Sequence, residues 1–121
     1  MGGYSSAVTI VRKPLTESGP YDIAPGVRMH PLFGDAAMLN LVDLDSGAVV
    51  PLHSHPHEQL GYVIAGEITM TIGGVNHPLE PGDAYQIPGD IEHAARAGSD
   101  GCRVLDIFQP VREDYRQLTE A

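Results

Sequence analysis

The chain has 121 residues, 42% of them apolar, and a formal net charge of -9. This length predicts one domain, residues 1–121, with enough apolar residues for a hydrophobic core. Sixteen acidic against seven basic residues argue against nucleic acid as a partner, because phosphate binding depends on clustered lysine and arginine. The single cysteine, Cys102, rules out an intramolecular disulfide framework, and we interpret it as a small buried residue beside a strand.

The sequence contains neither a recognisable secretory signal nor a membrane span. The first residues lack a charged head followed by a long apolar stretch. The longest uncharged apolar run is also too short for a membrane helix. We therefore expect a cytoplasmic protein without a membrane partner.

Short β-strands are predicted along most of the chain. After an alternating run at 4–12, apolar and polar residues alternate at 37–44, 61–65, 68–72, 84–87 and 103–108. Turn residues separate these runs, and the pair Gly73 and Gly74 is typical of a tight hairpin. Many strands at roughly ten-residue spacing predict an all-β fold, either a closed barrel or a two-sheet jelly roll. The barrel core is placed at about 27–110, and a helical turn or two at about 112–118.

Four polar side chains are candidate ligands of one divalent metal ion: His53, His55, Gln59 and His93. Side chains two residues apart on an extended strand face the same side, which brings His53 and His55 together. We place Gln59 on the next strand and His93 on a strand across the barrel. Three imidazoles and one amide oxygen suit zinc, nickel, manganese or iron and leave coordination positions open for chemistry. The alternative is a polar pocket lining without metal.

Other histidines and a glutamate near these residues are assigned lesser roles. His57 lies between a proline and Glu58 in a predicted turn, where it supports a ligand or faces solvent. Glu58 is interpreted as a solvated carboxylate at the barrel rim. His30 and His77 each precede a proline and are predicted to lie in loops.

The candidate ligands belong to two motifs. The first runs from Gly47 to Gly66 as G-x5-H-x-H-x3-Q-x6-G, and the second from Gly82 to His93 as G-x5-P-x-D-x2-H. Together they resemble the paired motifs of the cupin family over roughly residues 35–110. The resemblance implies a cupin double-stranded β-helix, that is, a jelly-roll barrel. The chain departs from the family pattern with glutamine at Gln59 for the usual glutamate, aspartate at Asp90 for glycine, and alanine at Ala97 for asparagine.

The last predicted strand carries an aspartate between apolar residues. Alternation puts Asp106 and Phe108 on one face and Leu105 and Ile107 on the other. We assign Leu105 and Ile107 to the sandwich interior, which leaves Asp106 and Phe108 facing the pocket or solvent. A buried aspartate without a partner is costly, so Asp106 is either exposed or a working acid/base group.

Arg112 follows this strand and is a candidate for reaching back over the barrel mouth. A guanidinium binds a carboxylate through two parallel hydrogen bonds, which suits recognition of an acidic substrate. The alternative is a surface ion pair with Glu113 or Asp114.

The run D-x-F-x-x-x-R, with the motif H-P-H-E-Q, resembles a narrower group: small cupins that linearise unsaturated uronates during pectin and alginate breakdown. The resemblance implies a metal shell of three histidines and a glutamine, and a catalytic group of Asp106, Phe108 and Arg112. It also implies a carboxylate-bearing sugar as substrate. Asp106 then moves a proton, Arg112 anchors the substrate carboxylate, and Phe108 shapes the pocket wall.

Three other functions stay open, one of them a polyketide cyclase or isomerase that uses a non-redox ion. A dioxygenase acting on a diketone or a flavonol-like compound needs a redox-capable ion in the same shell, although the polar pair Asp106 and Arg112 suits such substrates poorly. A non-catalytic module holding a sugar or small acid is the third alternative. The cupin resemblance further implies a homodimer, since pairing covers open sheet edges. The run 4–12 is suited to that exchange, or else extends its own sheet.

Overall fold

The computed structural model describes Val11 and residues 14–120, and within them the fold is nearly all β. The strands are β1 (Tyr21–Ala24), β2 (Val27–Phe33), β3 (Met38–Leu44), β4 (Val49–His53), β5 (Glu58–Ile72), β6 (Val75–Leu79), β7 (Ala84–Ile87) and β8 (His93–Gln109). A 3-10 turn at Leu15–Glu17 precedes them, and helix α1 at Glu113–Thr119 follows, close to its predicted place. Most of the run 4–12 lies outside the described residues. In the part of the chain that is described, no helix has the length and apolarity to span a bilayer.

The strands form one antiparallel network with two long strands at its centre. The hydrogen-bonded order is β1-β2-β3-β8-β5-β6, with β4 also paired to β8 and β7 also paired to β5. β5 has 15 residues and β8 has 17, and each pairs with several neighbours along its length. The predicted glycine hairpin joins β5 to β6, where Ile72 pairs with Val75. This is the layout of a jelly roll, in which long strands pass from one sheet to the other.

β5 and β8 each bend at a glycine corner, and the buried face changes there. In β8 the buried positions are odd-numbered up to Ala97 and even-numbered from Cys102, and β5 makes the same change at Gly66. Gly66 has a φ of 76° and Gly101 a φ of 74°. A Cβ at position 66 would overlap the backbone of Gly101. The predicted break between the runs 61–65 and 68–72 is therefore a bend within one continuous strand, β5.

His30 and His77 lie in strands, so their assignment to loops is wrong. His30 belongs to β2 and His77 to β6. The prolines after them are tolerated because each lacks a neighbour on one side among the strands that the structure describes: β1 pairs with β2 only as far as Met29, and β6 is the last strand in the order. A proline at such an edge breaks no ladder hydrogen bond.

Candidate metal centre

Three of the four candidate ligands form a histidine cluster. The ring nitrogens of His53, His55 and His93 that can bind an ion lie within 4.8 Å of one another. His53 ends β4 and pairs in register with His93, the first residue of β8. The prediction that His93 approaches from across the barrel is wrong, because β4 and β8 are direct neighbours. His55 lies two residues beyond β4, with its ring centroid 4.8 Å from that of His93.

A backbone carbonyl orients each imidazole of the cluster. The Nδ1 atoms lie 2.7, 3.1 and 2.8 Å from carbonyl oxygens, in the pairs His53 with Pro51, His55 with His57, and His93 with Ile91. A carbonyl oxygen only accepts hydrogen bonds, so each Nδ1 carries a proton, and in a neutral ring Nε2 then keeps its lone pair. Neutral imidazoles with one nitrogen tied in this way are the usual form of metal-ligating histidine.

The electrostatics of the cluster favour neutral rings at His55 and His93. Burial, with the positive charge of Arg112 next in importance, lowers the pKa of His55 to about 4. Burial also lowers the pKa of His93. Nε2 of His93 is buried without a hydrogen-bond partner among the described residues, and Nε2 of His55 faces Oε1 of Gln59 at 3.2 Å. Nε2 of His55 and Oε1 of Gln59 are both acceptors, so a cation between them would satisfy both. The residues present therefore fit a divalent ion.

Gln59 joins the cluster from the start of β5. Its side chain is buried, and its Oε1 lies on the side of the histidines. Its amide also lies near Asp106 and lowers the pKa of that carboxyl. The four predicted ligands thus lie together, and their duty as ligands remains our prediction.

Asp106 is buried beside this cluster, so its exposed alternative is excluded. Burial raises the pKa of Asp106 to about 6, against the opposing effects of bonds from Tyr85 and Gln59 and the charge of Arg112. Phe108 lies on the same inward face of β8 as Asp106. The Phe108 ring stands edge-on to that of His55, with ring centroids 5.6 Å apart. Ile107 is 38% exposed. The assignment of Leu105 and Ile107 to the interior is therefore wrong, because they lie on the outer face of β8.

Arg112 adopts both of its predicted positions at once. Its buried guanidinium lines the cavity next to the cluster. One edge of the guanidinium also donates to Asp114, from Nε to Oδ1 at 3.1 Å and from Nη2 to Oδ2 at 2.6 Å. Its Cζ atom lies 3.9 Å from the ring centroid of Tyr115 and 5.1 Å from that of Phe108. The aromatic contacts and the ion pair hold the guanidinium at the cavity wall.

A small inner cavity and a wider outer groove adjoin at this point. The inner cavity, of about 50 Å³, is lined by His53, Gln59, His93, Asp106 and Phe108 among others. The groove has a volume of about 470 Å³. Both are lined by Ile23, Val50, His53, Arg112 and Tyr115. A small molecule can therefore place one end against the cluster while the remainder lies in the groove.

Tyr85 and Asn40, the two residues that contact or pair with Asp106 from neighbouring strands, also line the cavity and were not predicted from the sequence. Tyr85 in β7 donates its hydroxyl to Oδ1 of Asp106 at 2.5 Å. Asn40 in β3 pairs with Asp106 in register, and its Oδ1 is buried without a partner among the described residues. A signal existed for Tyr85: the neighbouring strand carries Gly61, and a glycine inside a strand often marks a close approach.

The roles predicted for His57, Glu58 and Cys102 agree with the structure. His57 supplies the carbonyl that orients His55. Glu58 is exposed and accepts a hydrogen bond from Gln86 at 3.0 Å. Cys102 is buried in β8, and burial raises the pKa of its thiol to about 11.

The comparisons with known proteins identify the family. The cupin domain model matches residues 40–108. The chain is a cupin. This cupin is 32% identical over 84 residues to the pectin degradation protein KdgF of Dickeya dadantii, covering 69% of this chain and 76% of that protein. The predicted family and its jelly-roll fold are thus confirmed.

Two solved structures resemble this cupin over most of its length. KdgF from Halomonas sp. has 33% sequence identity and a TM-score of 0.77, covering 83% of this chain and 93% of that one. An RmlC-like cupin from Shewanella frigidimarina has 32% identity and the same TM-score, covering 83% and 90%.

Proposed function

We propose that this cupin is a metal-dependent isomerase that converts a cyclic unsaturated uronate into its linear keto-deoxy form. One observation carries the proposal: a histidine cluster suited to a metal, a buried acid and a guanidinium line the same cavity. The resemblance to two KdgF proteins, one of them named for pectin degradation, supports the substrate class. The catalytic group is Asp106, Phe108 and Arg112, as predicted from the sequence.

The proposed substrate is held by its charge and its ring. Arg112 keeps the Nη1 side of its guanidinium clear of Asp114, which engages Nε and Nη2. We assign that side to binding of the substrate carboxylate at the boundary between cavity and groove. Phe108 provides an apolar wall against which the ring packs. His53, His55, Gln59 and His93 hold the divalent ion, which when bound polarises substrate oxygens as a Lewis acid.

Asp106 moves the proton in this proposal. Linearisation adds and removes no atoms: the ring C–O bond breaks, the hemiacetal hydroxyl becomes an aldehyde, and the ring oxygen leaves as an enolate that becomes a ketone. The hydroxyl must lose a proton and the enolate carbon must gain one. A single carboxylate placed beside both positions can accept the first proton and return one to carbon, as general acid/base catalysis requires.

The test is the Asp106→Asn variant together with a matched control on the same strand. Asparagine keeps the shape of Asp106 but cannot carry the proton, so the turnover of unsaturated uronates should stop. Turnover is measured as the loss of uronate absorbance. Metal content, measured by mass spectrometry, should stay at the wild-type level. Asp100→Asn changes an exposed aspartate of β8 and should leave turnover unchanged. Full activity of Asp106→Asn would overturn the assigned role.

The oxygen-dependent alternative is separated from the isomerase in the same assay. Iron- or copper-loaded protein that consumes oxygen but leaves uronates untouched would replace our proposal with the dioxygenase. Protein that binds a uronate without changing it would favour the binding module. The cytoplasmic location and the homodimer remain predictions. Exposed apolar side chains on the outer face of β5 and β8, Leu60, Ile64 and Ile107, support pairing, and light scattering tests it.

A further inference from the structure

Tyr85, Gly61 and Asp106 form a row across three neighbouring strands. Gly61 of β5 pairs with Tyr85 of β7 on one side and with Asp106 of β8 on the other. Neighbouring strands lie about 4.8 Å apart, so the backbones of β7 and β8 are about 10 Å apart here. The hydroxyl of Tyr85 nevertheless lies 2.5 Å from Oδ1 of Asp106. The phenol ring reaches this position by crossing the inner face of β5.

Gly61 supplies the space for that crossing. A Cβ at position 61 would overlap the Tyr85 ring at Cζ, Cε1 and the hydroxyl. Gly61 does not have the positive φ that often explains a glycine. A glycine inside a strand weakens it through backbone entropy and the loss of packing. The contact with the Tyr85 ring accounts for glycine at this position.

We propose that Tyr85 is a positioning residue that fixes the carboxylate of Asp106 for proton transfer, and that Gly61 is required for it to do so. The inference rests on the proposed function, because Asp106 acts there as the acid/base group. A carboxylate is planar, so holding Oδ1 against the hydroxyl also sets the direction in which Oδ2 points. Misplacement of a reacting group by about 1 Å can reduce a rate by about 100-fold.

The chemistry of the contact agrees with Tyr85 as the hydrogen-bond donor and Asp106 as the acceptor. Burial and the neighbouring Asp106 raise the pKa of Tyr85 well above its ordinary value, so the phenol stays protonated and donates. A buried tyrosine hydroxyl also needs a partner for stability alone. Loss of stability in a variant therefore does not distinguish positioning from packing. A change in kcat without a change in KM or metal content does.

The experiment compares Tyr85→Phe with Tyr62→Phe. Tyr85→Phe keeps the ring and removes the hydroxyl, whereas Tyr62 lies on β5 next to Gly61 but is 48% exposed. We expect kcat on unsaturated uronates to fall by about 10- to 100-fold in Tyr85→Phe, as is typical when a group that orients a functional side chain is lost. KM and metal content should change by less than about threefold, and Tyr62→Phe should behave as wild type.

A double-mutant cycle tests the part played by Gly61. Gly61→Ala alone displaces the ring and should reduce kcat to a similar extent. In the Tyr85→Phe background the same alanine should cause no further loss of kcat, because the hydroxyl contact is already absent. Additive losses would show that Gly61 acts independently of Tyr85, against the proposal.

Crystal structures of the wild type and of Tyr85→Phe give a readout that does not need turnover. A rotated Asp106 carboxylate in Tyr85→Phe supports the inference. An unmoved carboxylate with wild-type kcat overturns it, and so does a fall in kcat that is matched by loss of metal. If the wild type leaves unsaturated uronates unchanged, the proposed function fails, and the orientation of the carboxylate alone then decides the role of Tyr85.

Discussion

Asp114 occupies one edge of the Arg112 guanidinium, with Nη2 to Oδ2 at 2.6 Å and Nε to Oδ1 at 3.1 Å. Only 9% of the Arg112 side chain is exposed, against 58% for Asp114. The buried cation is therefore held in place from the solvent side. In the proposed function, this leaves the opposite side of the guanidinium available for substrate.

Arg112→Lys should weaken substrate binding more than it weakens the chemical step. Lysine keeps the positive charge but loses the planar fork. A hydrogen bond to a charged group contributes about 1.5–3 kcal/mol, so we expect KM to rise by about 10- to 100-fold. Asp114→Ala serves as the comparison, since Arg112 then keeps its aromatic contacts, and KM should rise less. The measurement is steady-state kinetics, and an unchanged KM in Arg112→Lys would contradict the anchoring role.

Alanine substitution of any one of His53, His55 and His93 should remove the metal. Every one of these rings presents an oriented Nε2 lone pair, and losing one leaves an incomplete shell. Purified variants should contain less than about a tenth of the wild-type metal by mass spectrometry. His77→Ala, an exposed histidine in β6, should bind as wild type.

Added metal should also stabilise the wild type and not the ligand variants. An ion present at 100 times its Kd stabilises the folded state by about 2.7 kcal/mol. Thermal unfolding of His93→Ala should therefore stay unchanged when metal is added. An equal rise in Tm for both proteins would place the ion elsewhere.

Asp90→Gly should stabilise the fold. Asp90 has a φ of 67°, at the position where the cupin motif has glycine. A side chain in this left-handed region costs about 1 kcal/mol, and the greater freedom of unfolded glycine offsets about half of that. We expect a gain of about 0.5 kcal/mol in chemical denaturation. The backbone bond from the Asp90 N–H to the His55 carbonyl, 2.8 Å, is retained by glycine.

The matched control for Asp90→Gly is Asp35→Gly. Asp35 is also exposed but does not have a positive φ. Glycine there adds freedom to the unfolded chain without relieving strain, so stability should fall by about 0.5 kcal/mol. Two changes of the same sign would contradict the role assigned to the backbone angle.

Asp43→Asn should reduce stability in a pH-dependent way. The Arg103 guanidinium donates to Asp43 at 2.6 and 3.0 Å, and this bond holds the pKa of Asp43 below its ordinary value of 3.8. A lowered folded pKa stabilises the protein above the unfolded value, and that stabilisation is lost as the pH falls through the folded pKa. The pair is partly exposed, so we expect a loss of about 1 kcal/mol near pH 7.

The loss in Asp43→Asn should shrink below about pH 4 and vanish once wild-type Asp43 is itself protonated. His30 also contacts Asp43, from Nε2 to Oδ2 at 3.5 Å, and is present in both proteins. Chemical denaturation from pH 3 to 7 measures the difference in the free energy of unfolding between the wild type and Asp43→Asn. Asp45→Asn removes an exposed partner of Arg28 and should have a smaller effect. A difference in the free energy of unfolding that grows in acid would refute the stabilising role of the Asp43–Arg103 pair.

The metal cluster was predictable because its members are close in sequence or fixed by a motif. His53, His55 and Gln59 lie within seven residues, and the spacing of strand and turn brings them together. Tyr85 could not be placed in the same way, because its contact with Asp106 depends on the register of three strands. The same reason explains the error over Leu105 and Ile107: alternation separates the two faces of a strand but does not say which of them is the interior.

The bend in β8 has a further consequence for how the chain can change in length. His93 and Asp106 are thirteen residues apart, an odd spacing that on a straight strand would put them on opposite faces. They share a cavity because the bend at 98–101 shifts the alternation between them. Deleting one residue from a straight ladder would turn every later side chain to the other face. Natural variation in length should therefore collect at the bend, where an extra residue leaves both ladders in register.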